Sequence, residues 1–82
     1  MNRSEYLMAL YDALDGIPSQ ERIDAITEYQ EYFRIETEKG RTEEEICLSL
    51  GDPVTLAYAI KQRRGYDPRG YNPKKTYDEE PP

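Results

Sequence analysis

The sequence predicts an all-α fold, a small bundle of four helices, from three observations. Apolar residues recur at three- and four-residue spacing along four successive segments. Gly16, Gly40, Gly51 and Gly65 punctuate those segments. No stretch shows the strict apolar–polar alternation of a half-buried strand. At 82 residues, 37% hydrophobic and net charge −6, the chain is one small domain. Domains of about 60 residues bury only about 60% of their unfolded surface, so the core is marginal. Eight Tyr and one Phe supply bulky apolar surface that acidic disordered chains lack.

The first helix is predicted over 3–15. Asn2 is a good N-cap and Glu5, three residues on, completes a capping box. Leu7, Leu10, Tyr11 and Leu14 share one face. Gly16 and Pro18 stop it, with Ile17 as the hydrophobic residue beyond the cap. The second helix is predicted over 19–39, about 30 Å long. Its stripe is Ile23, Ile26, Tyr29 and Phe33, flanked by Ala25, Tyr32 and Ile35, with carboxylates opposite. The third, over 43–50, opens on a Thr42–Glu45 capping box, with three glutamates in the turn where the helix dipole favours them. Ile46, Cys47 and Leu50 face inward. The fourth, over 53–64, is entered by Asp52-Pro53, a preferred cap followed by proline at the first helical position. Pro53, Leu56, Ala57 and Ile60 share its inner face.

Residues 1–65 therefore read as the domain and 66–82 as a flexible tail rich in Tyr, Pro and basic residues. Amide exchange is expected to be unprotected from about Tyr66 onward. Charge reverses along the chain: residues 1–60 are net −8, and residues 61–75 are net +5. That basic neck comprises Lys61, Arg63, Arg64, Arg69, Lys74 and Lys75. Such a strip suits an anionic membrane surface. It is also the expected juxtamembrane charge if a membrane helix follows.

Several chemistries are excluded by composition. Without His there is no imidazole acid–base catalysis, no Ser-His-Asp triad and no His-ligated metal. The single Cys47 has no resolving partner and reads as a buried, inert thiol. Successive Glu43, Glu44 and Glu45 diverge by about 100° each on a helix and cannot converge on one cation. No catalytic, cofactor or metal residues are assigned, and the chain is expected not to be an enzyme. No apolar run approaches the ~20 residues of a membrane span, and no signal-peptide pattern opens the sequence. The expected location is cytoplasmic.

The order and spacing of Arg3-Ser4-Glu5-Tyr6-Leu7, Ile17-Pro18-Ser19-Gln20-Glu21-Arg22, Tyr29-Gln30-Glu31-Tyr32-Phe33 and Leu50-Gly51-Asp52-Pro53 resemble the HAAS-type helical signalling domain. The resemblance covers about residues 3–64. It implies a helical fold at the cytosolic N-terminus of bacterial membrane proteins, often encoded beside a PadR-type regulator. It assigns no catalytic residues. The function expected is non-enzymatic protein–protein interaction or signalling, coupling a membrane protein to a partner. That partner is a PadR-type regulator or a second copy of the chain. Met8, Tyr32, Ile35 and Leu48 lie off the inward faces and are the candidate partner-binding residues. The alternative is a nucleic-acid-binding regulator using the third and fourth helices. The acidic third helix argues against that alternative, and no nucleic-acid partner is expected.

Overall fold

The first turn of each short helix is closed by the side chain that the sequence places there. In the computed structural model, which describes residues 1–66, the elements are α1 (Arg3–Ala13), α2 (Ser19–Glu38), α3 (Glu43–Leu50) and α4 (Pro53–Arg63). Asn2 Oδ1 accepts from the Glu5 N–H at 2.8 Å while Glu5 accepts from the Asn2 N–H at 3.0 Å. Thr42 and Glu45 repeat that reciprocal pair at 3.1 and 2.9 Å. Asp52 Oδ2 accepts from Val54 and Thr55 N–H at 2.9 and 3.1 Å. Each pair satisfies N–H groups that have no partner within the helix. Only α2 lacks a side-chain cap. The Pro18 carbonyl instead accepts from Glu21 and Arg22 at 3.0 and 3.1 Å.

Helix α1 ends at Ala13, two residues before the expected stop, because Leu14 already leaves helical geometry on the way to Gly16 at φ +97°. The other boundaries agree to within one residue. Gly51 has φ +84° and ψ −167°, which is not the left-handed helical cap but the extended region with positive φ. That region is open essentially to glycine alone. The reason is Pro53. A residue before proline is pushed to extended geometry, and Asp52 obeys at φ −65°, ψ 132°. The reversal must therefore be completed one residue earlier, at Gly51.

Helix α1 packs against all three others, and α3 also touches α2. The core comprises Tyr6, Leu7, Leu10, Leu14, Ile17, Ala25, Phe33, Ile46, Cys47, Ala57, Ile60 and Tyr66. The expected stripe of α2 is off by one position at its start, since Ile23 is 48% exposed. Arg22 takes the place on the α1-facing line. Its guanidinium sits 4.1 Å from the centroid of the Tyr11 ring and donates to the Tyr11 carbonyl at 3.0 Å. A cation at the C-terminal end of α1 meets the negative end of that helix dipole.

The boundary after Gly65 also moves. Tyr66, expected to open the flexible tail, is buried, and its N–H donates to the Lys61 carbonyl at 2.9 Å. Its hydroxyl donates to Glu21 at 2.7 Å. The remainder of the expected tail, 67–82, lies outside the described residues.

The α3–α4 turn gives a direct stability test. A Cβ on Gly51 would meet nothing within 4 Å, so Gly51→Ala is penalised by backbone strain rather than by a clash. That strain is expected to cost about 1–3 kcal/mol. Asp52→Ala, which removes the α4 cap, costs about 1 kcal/mol. Each kilocalorie lowers the midpoint of thermal unfolding by roughly 4–8 °C in a domain of this size. Melts of both variants that superimpose on the parent would refute this account of the turn. Hydrogen exchange at the Tyr66 amide should be slow.

Candidate functional site

Two open grooves and one polar latch make up the distinctive surface. The larger groove runs between α1 and α2 and has a volume of about 700 Å³. Leu7, Met8, Tyr11 and Ile26 supply its apolar lining. Leu7 belongs to the core, whereas Met8 is 69% exposed. Along α1 the groove begins at Arg3 and ends at Asp12, with the α2 residues Glu31 and Arg34 also in its wall. Arg34 is already held by Glu31 and by Glu38, the latter at 2.8 Å. Those side chains are more than half exposed, so the pairs add little to stability.

The second groove, about 510 Å³, lies at the α3–α4 turn. Met1, Tyr6, Cys47, Leu48, Gly51 and Pro53 line it, with Glu44 and Asp52 as its acidic members. Leu48 is 82% exposed, the largest exposure of any bulky apolar side chain among the described residues. Tyr6 at its floor donates its hydroxyl to the Gly51 carbonyl at 2.8 Å. Burial, with the nearby Cys47 and Asp52 adding to it, pushes the Tyr6 phenol up to about 12. The Cys47 sulfur lies 3.8 Å from the Asn2 carbonyl, and burial first, then Glu43, Glu44 and Glu5, raises its thiol pKa. Both groups are thus held in the protonated, weakly nucleophilic form.

At the far end of α4, Glu21 accepts the Tyr66 hydroxyl and stands 3.8 Å from Arg64, which is also 3.8 Å from Glu28. The bond to Glu21 raises the Tyr66 pKa. Two of the three neck cations within the described residues differ from the free strip that the sequence suggested. Lys61 is buried at 6% exposure, Arg64 is turned toward α2 carboxylates, and Arg63 is exposed. Lys61 lines a small hollow with Asp12 and Asp15. Arg69, Lys74 and Lys75 lie outside the described residues.

The four candidate partner residues do not converge on one patch. Met8 lines the α1–α2 groove and Leu48 the α3–α4 groove. Tyr32 is partly buried, with its ring edge-on to Tyr29 at 6.4 Å. Ile35 is 39% exposed and lines neither groove. Sequence reasoning missed the polar ends of the first groove, Arg3 and Asp12, and the Met1 and Pro53 walls of the second. Nothing in periodicity marks an end residue as part of a groove. Its neighbour across the gap comes from another helix.

A family model matches residues 5–59, which is 55 of the 82 residues and spans α1 through most of α4. The chain belongs to the HAAS family. Membership makes it a small helical domain of a kind associated with protein–protein interaction. The HAAS match takes in Tyr6, Met8, Leu48 and the whole Gly51-Asp52-Pro53 turn. No curated protein and no solved structure matches the chain. Among the described residues no helix is long and apolar enough to cross a membrane.

The Tyr6 bond makes the HAAS fold sensitive to alkali. The unfolded phenol ionises near 10, before the folded one, so rising pH drains the folded state. The Tyr6 contribution is complete below pH 10 and is lost progressively as pH climbs toward 12. In thermal melts between those limits the parent should lose stability more steeply than Tyr6→Phe, which is less stable at neutral pH but has no phenol to titrate. Parallel slopes would rule out this role for the hydroxyl.

Proposed function

We propose that this HAAS domain is a non-enzymatic docking module that couples a membrane protein to a protein partner, and that the partner seats on the α3–α4 groove. The observation that carries the reading is Leu48. Its 82% exposure beside an apolar groove leaves a large side chain in water that a second surface would cover. Glu44 and Asp52 at the same groove favour a partner that presents an apolar side chain flanked by Lys or Arg. The absence of His and the protonated state of Cys47 and Tyr6 support a binding role over acid–base or nucleophilic chemistry. The family resemblance supports a transcriptional regulator of the PadR type as that partner, and a membrane protein as the context.

The test is titration of the full chain with a purified PadR-type regulator, read by calorimetry. Leu48→Asp should weaken binding at least about tenfold, as expected when a central apolar anchor is replaced by a charge. Its helical melt should be unchanged, because the side chain contributes nothing to the core. Glu44→Lys should slow association and flatten its salt dependence. Equal affinity of the parent and Leu48→Asp would exclude the α3–α4 groove as the docking surface.

A further inference from the structure

Lys61 is the one charged side chain buried among the described residues, at 6% exposure. Val54, Tyr58 and Lys61 follow one another at helical spacing and share a face of α4. That face meets the end of α1, and between them lies a hollow of about 310 Å³ whose other walls are Asp12, Ala13 and Asp15. Two exposed carboxylates and the negative end of the α1 dipole draw the ammonium toward this place. Yet among the described residues it makes no hydrogen bond and no ion pair, and neither carboxylate is close enough to pair with it. Arg22 Nε is the only fully enclosed side-chain nitrogen or oxygen there without a partner. The unbonded Lys61 ammonium is therefore open on one side, and the hollow is the opening that Lys61 lines.

We infer that this hollow is a binding site for an α-amino acid with an apolar side chain, whose carboxylate accepts from the Lys61 ammonium and whose ammonium donates to Asp12 and Asp15. An ammonium carries only N–H donors, and leaving them without an acceptor at a buried position is costly, so the missing group is an oxygen. A simple anion supplies that oxygen but meets both carboxylates. A simple amine satisfies the carboxylates but meets Lys61. A zwitterion satisfies both sides. An α-amino acid holds its two charges on one carbon, which suits a gap that Lys61 and the carboxylates do not close by pairing directly. Val54 and Tyr58, 62% and 49% exposed, give the ligand's side chain an apolar wall. The volume lies at the lower end of small-molecule sites, which span about 300–1,000 Å³, and so suits a single amino acid rather than a peptide. The hollow shares no lining residue with the α3–α4 groove, so this site stands apart from the docking surface.

Titration of the full, isotope-labelled chain with L-leucine, followed through amide chemical shifts, tests the inference. Shifts should concentrate at Asp12, Ala13, Asp15, Tyr58 and Lys61 and saturate with a Kd on the order of 1 mM, as for a small ligand in an open hollow. N-acetyl-L-leucine lacks the ammonium and L-leucinamide lacks the carboxylate, and each should bind at least about tenfold more weakly. Lys61→Met keeps an unbranched apolar stem and removes the charge. It should abolish the saturable shifts while leaving the thermal midpoint at or above the parent's, because an unpaired buried charge has been removed. Asp15→Asn alters an exposed residue of the turn after α1 and should weaken binding about tenfold with an unchanged melt, so the test does not rest on a buried position alone. Absence of saturable shifts up to about 20 mM leucine overturns the inference, as does unaltered binding by Lys61→Met. Equal binding of either single-charge analogue overturns the zwitterion assignment. Leu48→Asp, which disables the proposed docking groove, should bind leucine as the parent does, so the two readings fail separately.

Discussion

The hydrogen bond from the Tyr6 hydroxyl to the Gly51 carbonyl is the constraint on which the arrangement of helices depends. It ties the first turns of α1 to the turn that orients α3 against α4, across 45 residues of chain. The same Tyr6 ring lies 6.1 Å from Phe33 at an interplanar angle of 56°, so it also sets the approach of α2. One side chain, 1% exposed, thus touches two places, Phe33 on α2 and the turn between α3 and α4. Its hydroxyl is taken out of water, and the Gly51 carbonyl is the acceptor that compensates it. That carbonyl points where it does because Gly51 has positive φ, and Gly51 adopts positive φ because Asp52 must be extended before Pro53.

A core this small leaves a surface that cannot hide all of its apolar side chains. The inner volume is filled by medium-sized groups and three aromatic rings that bring polar handles or edge contacts with them. Tyr6 and Tyr66 are buried only because Gly51 and Glu21 accept their hydroxyls. Arg22 is admitted on the strength of the Tyr11 ring and carbonyl, although its Nε is buried without a partner. Met8 and Leu48, by contrast, have no such reason to fold inward and remain over the two grooves.

The helix boundaries were legible in the sequence because capping is local: Asn2 with Glu5, Thr42 with Glu45 and Asp52 before Pro53 each act within three residues. The core of α1 was legible for its leucines and not for Tyr6, whose burial depends on an acceptor 45 residues away. Arg22, Lys61 and Tyr66 escaped for the same reason. Amphipathic side chains are buried or exposed according to what a distant segment offers them, and periodicity is silent about distance. At the candidate site, Met8 and Leu48 were visible as residues off the inward face. Their assignment to separate grooves, and the place of Tyr32 against Tyr29, required the chain to be folded.

Helix α1 contributes a wall to both grooves, Leu7 and Met8 on one flank and Tyr6 on the other. The helix is fixed at its start by the Asn2–Glu5 pair and by the Arg3 N–H donating to Glu43 at 2.7 Å, and at its end by Arg22. Helix α1 is thus held at both ends, and the buried Tyr6 hydroxyl ties it to the α3–α4 turn as well. Coupling between the two grooves through α1 would need a second arrangement of that helix with a different affinity for one of the ligands.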